Sequence, residues 1–174
     1  MSIVATNRQR AQKIDLRLLK QIAGALLADL KIADAELGVH LVAAPEMTRL
    51  NETFLRHRGS TDVITFDYSD TGRRMPDTGR RLHGDIFICL DEAAWQARKF
   101  RTSWQSEIVR YLVHGVLHLL GHEDSQAGRR RKMKREENRR LGELSRRFSL
   151  AQLGRTAKLS ACKNRSSRAG APVS

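Results

Sequence analysis

Residues 111–124 read YLVHGVLHLLGHED. His114 and His118 stand four residues apart, and the stretch around them is apolar on nearly every side: Trp104, Ile108, Val109, Leu112, Val113, Val116, Leu117, Leu119 and Leu120. All-round apolarity predicts a buried helix over about 103–120. On a helix the i,i+4 spacing puts both imidazoles on one face, within reach of a single ion. Two histidines in such a helix are costly without partners. A metal supplies one partner to both; bonds to backbone or carboxylate groups are the alternative. Gly121 is placed to stop the helix. The chain then turns back, so that residues 122–124, His-Glu-Asp, can bring a third ligand. Imidazole plus carboxylate makes zinc the first choice, and three protein ligands leave a fourth position open, as in catalytic sites. Zinc peptidases place a glutamate directly after the first histidine. Gly115 stands there instead, which disfavours peptide hydrolysis by that route.

Outward from this helix, the chain reads as one mixed domain. Strands are expected at 2–7 (SIVATN), 36–43 (ELGVHLVA) and 83–90 (HGDIFICL), and at 61–68 (TDVITFDY) from its β-branched and aromatic content. Asp15 is a plausible N-cap for a helix whose apolar face is Leu19, Ile22, Leu26 and Leu30. Pro45 can start a helix near 46–56 with Met47, Leu50 and Phe54. Asp91 can cap DEAAWQARKF, and Thr102 with Gln105 has capping-box spacing before the central helix. A last helix spans about 127–148, with Met133, Leu141, Leu144 and Phe148 on one face. Residues 69–81 read as a polar loop. From about 151 onward the chain reads as a basic, disordered tail, giving a domain over 1–150 and a tail over 151–174.

The chain has 174 residues, 40% hydrophobic and 29% charged, enough for one core. No apolar run reaches the roughly eighteen residues of a membrane span, and MSIVATNRQRAQK has no apolar stretch of leader length. Cys89 and Cys162 are expected as unpaired thiols of a reducing cytoplasm. The net charge is +13, and its placement is uneven. Residues 126–174 hold 15 Lys/Arg and 3 Asp/Glu; the first 125 hold 17 and 16. A polyanionic partner is the natural suggestion, against a tail that only solubilises. Charge by itself names no reaction.

HGVLHLLGHED, preceded by STDVITF (60–66) and HGDIFICLDEAAWQA (83–97), resembles the YbeY family, bacterial single-strand-specific endoribonucleases of ribosomal RNA maturation. The resemblance runs from about residue 36 to 148, more weakly to the N-terminus. It implies an α+β, zincin-like single domain with a mixed four-stranded sheet and about five helices. It further implies a zinc-dependent endoribonuclease of 16S rRNA 3′-end maturation and ribosome quality control, acting in the cytoplasm. Its partners would be single-stranded RNA, the 16S rRNA precursor, and the ribosome or its small-subunit proteins, with no membrane.

The sequence departs from the family pattern in places. The family's third ligand is a histidine six residues after the second, and Asp124 stands there. The ligand role is carried to Asp124, with His122 competing. The carboxylate is harder than imidazole and can move preference toward manganese or magnesium. The family's arginine before the Thr-Asp-Val strand falls on Leu55; Arg56 and Arg58 are the nearby substitutes for binding substrate. His114 and His118 remain the catalytic pair. The competing reading is a non-catalytic rRNA or ribosome assembly factor with a structural metal. His40 and His83 are expected as structural residues, His57 on a surface turn. Asp62 and Asp85 are expected to bond backbone or to support a metal-ligating histidine.

Overall fold

The computed structural model describes residues 1–69 and 81–154. The loop expected over 69–81 falls almost wholly on residues 70–80 and most of the tail on 155–174, both outside the described residues. The elements run β1 (Ser2–Asn7), α1 (Leu16–Asp29), β2 (Asp34–Val42), α2 (Ala44–Leu50), β3 (Val63–Asp67), β4 (Arg81–Cys89), α3 (Leu90–Phe100), α4 (Trp104–Leu119) and α5 (Ala127–Arg147). The fold is α+β, with the four strands in one mixed sheet of order β1-β2-β4-β3. β1 and β4 flank β2 in parallel, and β3 runs antiparallel to β4.

Side-chain alternation divides the sheet into two faces. Val39 pairs with Ile86 and Leu41 with Ile88. These four are fully buried, in one core with Leu19, Ile22 and Leu26 of α1 and Ile108, Leu112 and Val116 of α4. α5 packs outside α4 through Met133, Leu141 and Leu144. The opposite face carries Glu36, His40, His83 and Asp85. One end of it is covered where Met47 of α2 meets Val42, Ile64 and Cys89. On that face His40 is satisfied as expected, between the Thr6 hydroxyl at 2.8 Å and Asp85 at 3.2 Å.

Several helix ends differ from the expectation, each for a local reason. Asp15 caps α1 through the Leu18 N–H. β4, however, runs into α3 with no linker, so Leu90 is already helical and Cys89 is the cap residue. Asp91 therefore lies in the first turn, and its carboxylate accepts the Ala44 N–H at 2.6 Å, capping α2 instead. At α4 the cap is Ser103, which accepts the Ser106 N–H. Thr102 donates to the buried Glu107 at 2.6 Å. The helix expected over 46–56 starts at Ala44 and changes at Asn51 into a single π-helical turn, Asn51–Leu55. That change turns Phe54 outward, 59% exposed. Leu150–Gly154 forms a 3-10 turn whose Leu153 is buried and whose Leu153 carbonyl accepts the Asp15 N–H at 2.9 Å. Packing thus continues four residues past position 150.

Candidate metal centre

α4 lies so close to the sheet that a Cβ on Gly115 would meet the Ile86 side chain at 2.8 and 2.9 Å. The position after His114 thus faces β4, away from any ligand, and glutamate chemistry there is sterically closed. His114 and His118 lie on the side of α4 that turns from the sheet, with side chains 25% and 28% exposed. Gly121 takes φ +82° and closes the helix by donating to the His118 carbonyl at 2.8 Å. The chain then reverses and delivers Asp124.

The ligand atoms of His114, His118 and Asp124 all lie within 4.8 Å of one another. The two Nε2 atoms are 3.0 Å apart, and His118 Nε2 is 3.9 Å from Asp124 Oδ2. Two nitrogens bound to one tetrahedral zinc at about 2.0–2.1 Å stand about 3.3 Å apart, so the spacing fits a shared ion. His122 uses its backbone N–H on the Leu117 carbonyl, and its ring is outside the convergent set. Burial, and then the adjacent His114, push the His118 imidazole below its ordinary pKa. That keeps a neutral ring with a lone pair for a cation.

Behind His114 stands a residue the sequence reading missed. Glu137 of α5 accepts from His114 Nδ1 at 3.1 Å, from Arg110 at 2.8 Å and from Lys134 at 2.7 Å. Burial raises the Glu137 carboxyl, but the hydrogen bonds from His114, Lys134 and Arg110 outweigh it and hold the pKa down at about 2. The carboxylate accepts from His114 Nδ1 and so orients the ring with Nε2 toward His118 and the cavity. This is the usual support of a metal-ligating histidine. Glu107 anchors the far side of Arg110 at 3.3 Å. Asp85 bonds His40 and Tyr68 on the other sheet face and supports no ligand.

A cavity of about 160 Å3 opens at this point, lined by His114, Asp124, Glu137, Asp62, Tyr111 and the cations Arg110, Arg130 and Lys134 among others. Arg130 donates its Nε to the Asp124 carbonyl and has no carboxylate partner among the described residues. Arg56 and Arg58 do not line this cavity. They are exposed beyond the π-helical turn, Arg56 in the left-handed region at φ 57°. Glu123, adjacent to the triad, is paired with Arg129. His57 is exposed, and His83 lies 3.4 Å from Glu36. The Cys89 thiol is buried and its pKa raised by that burial, which makes it unreactive.

The family model described as Endoribonuclease YbeY matches residues 4–145. A Myxococcus xanthus relative named Endoribonuclease YbeY is 39% identical over 127 residues, 73% of this chain and 42% of that protein. A relative of the same name from Anaeromyxobacter is 40% identical over 121 residues, 70% of this chain and 60% of that protein. The match therefore spans only about half the length of these two relatives. A third, from Syntrophotalea carbinolica and with the same name, is 36% identical over 135 residues, 76% of this chain and 87% of the relative. The solution structure of TM1509 from Thermotoga maritima shares the fold, with a TM-score of 0.61 at 22% identity over 90% of this chain and 97% of that one. On the match of residues 4–145, this chain belongs to the YbeY family.

Proposed function

We propose that this chain is a metal-dependent endoribonuclease that cleaves single-stranded RNA. Its place in the cell is 16S rRNA 3′-end maturation and ribosome quality control in the cytoplasm, with precursor rRNA and the small ribosomal subunit as partners. What carries the reading is the convergence of His114, His118 and Asp124, with Glu137 orienting the His114 ring. The name Endoribonuclease YbeY on the relatives supports the reaction class.

His114 Nε2, His118 Nε2 and an Asp124 carboxylate oxygen hold the ion in this reading. Zinc is the preferred metal, and the carboxylate leaves room for manganese or magnesium. A divalent cation bound there supplies Lewis acidity for a phosphodiester oxygen and lowers the pKa of a water. Arg130 neutralises phosphate charge beside the cavity, and its hydrogen bond to the Asp124 carbonyl keeps it in place. Lys134 and Arg110 add field there but are already tied to Glu137. Arg56 and Arg58 meet the RNA outside the cavity.

The test is metal analysis and single-stranded RNA cleavage for the wild type, His114→Ala and His118→Ala, with and without chelator. The wild type is expected to hold about one metal and to lose cleavage to chelator. Each variant is expected to lose more than about a hundredfold in activity. Full metal and full cleavage in either variant would overturn the assignment. RNA binding without chelator-sensitive cleavage would favour an assembly factor with a structural metal.

A further inference from the structure

A second cavity, of about 420 Å3, adjoins the first. The two share Asp62, Arg110, Tyr111 and Lys134 as walls, and the second continues onto Gln96, Phe100 and Asn138. Its size lies in the range of small-molecule sites, about 300–1,000 Å3. Two of its wall residues each carry a polar atom that has almost no accessible surface and is unpaired among the described residues: the Tyr111 phenol oxygen and Gln96 Oε1. Tyr111 is only 5% exposed. Native proteins rarely leave such atoms unsatisfied, and each one calls for a cause, such as strain, a catalytic role or a bound water or ion. Burial also holds the Tyr111 phenol well above its ordinary pKa, so it remains a neutral donor.

Other walls narrow the chemistry of the occupant. Phe100 presents an aromatic ring 62% exposed, with Lys99 Nζ 5.4 Å from its centroid. Asn138 takes a hydrogen bond from Arg110 on its oxygen, which leaves its amide N–H groups for a ligand. A flat apolar platform with amide and phenol groups for an in-plane edge matches a nucleobase. Arg110 and Lys134 at the passage are paired with Glu137, and Asp62 and Glu107 also line the cavity, so the adjoining phosphate is left to Arg130 on the metal side. We infer that this cavity is a nucleoside subsite, which seats one base of a single-stranded RNA on Phe100, beside Tyr111, Gln96 and Asn138, while the adjoining phosphate reaches the metal cavity. The inference rests on the RNA reading above and adds to it where a base is held.

The test is RNA binding by the full chain, so that it does not depend on cleavage. The probes are a fluorescein-labelled single-stranded RNA decamer and versions with one abasic position walked along it. Fluorescence anisotropy reads affinity, and a gel checks that each probe stays intact. Phe100→Ala removes an exposed ring, and Tyr111→Phe changes one oxygen, so both variants are expected to fold. Phe100→Ala is expected to weaken binding about tenfold, the scale of one lost base stack. Tyr111→Phe is expected to weaken it about threefold. One abasic position should weaken the wild type as much as Phe100→Ala does, and should cost Phe100→Ala nothing further. Wild-type affinity in both variants for every probe would overturn the subsite, even if the RNA is cleaved. The expected pattern without any metal-dependent cleavage would keep the subsite and sink the nuclease reading. No binding by the wild type would overturn both.

Discussion

The Glu137 carboxylate is buried among three donors, His114, Lys134 and Arg110. Its folded pKa of about 2 lies below the ordinary 4.5. A depressed carboxylate contributes stability that is fully present above its unfolded pKa and is lost as pH falls toward its folded pKa. The metal-free protein is therefore expected to lose thermal stability between about pH 4.5 and pH 2. Glu137→Gln keeps the size but removes the charge, leaving Lys134 without its carboxylate and Arg110 with Glu107 alone. Breaking a buried pair in this way costs about 3 kcal/mol, so the variant should unfold earlier at neutral pH and show a flatter acid limb. Thermal melts of both proteins across that pH range check it; parallel acid limbs would show that the charge is not what the donors hold. The histidine pair was legible because its spacing is local and its helix is apolar. Glu137 was not. It lies 23 residues beyond His114, within a charged run where Glu136 looks identical. Only the rotation of α5 separates them, turning Glu137 inward and Glu136 toward Arg139 and Arg140.

At the scale of elements, signals spread over many residues held in β1 and α5, whereas single-residue ones held at Asp15 and Gly121 and failed at Asp91 and Thr102. β1 spans the six residues expected of it, and α5 ends within one residue of expectation. The apolar face of α5 draws on several side chains, so no one contact can shift it. A cap depends on one hydrogen bond, and Asp91 and Thr102 each found a better partner in tertiary structure, Ala44 and Glu107. The approach of α4 to β4 belongs to the same scale, because it sets where the whole ligand face stands. Gly115→Ala places a Cβ under 3 Å from Ile86, a residue with no exposed surface. Overpacking of this kind costs about 1–3 kcal/mol, offset by about 1 kcal/mol of helix propensity gained over glycine. A net loss of about 1 kcal/mol is expected by denaturant melts. In an Ile86→Ala background the contact is gone and only the propensity term remains, so the same substitution should stabilise by up to about 1 kcal/mol. An unchanged cost in that background would mean that Gly115 matters for some reason other than its distance from Ile86.

Across the whole molecule, acidic and basic side chains nearly balance through residue 125, and the excess lies after it. Part of that excess is neutralised within α5 and against the body: Arg139 and Arg140 pair with Glu136, and Arg147 with Asp29. Arg131, Lys132 and Arg135 are exposed and have no carboxylate partner among the described residues. Residues 155–174 add five Lys/Arg and no Asp/Glu. Single-stranded RNA binding should therefore weaken with salt, by a slope of about 0.7 per phosphate contact in log–log form. If all five terminal cations engage phosphates, a chain ending at Gly154 should have a slope smaller by up to about 3.5. It should also bind less tightly than the full chain at low salt, with the two affinities converging as salt rises and screening removes the difference. Anisotropy titrations of one RNA decamer at several salt concentrations read both quantities. Equal slopes for the two proteins would assign the electrostatic contact to α5 and the metal-side cations alone. In that case the charge of residues 155–174 would have no part in holding RNA, and the uneven charge of the chain would owe its functional meaning to the helix that also supplies Glu137.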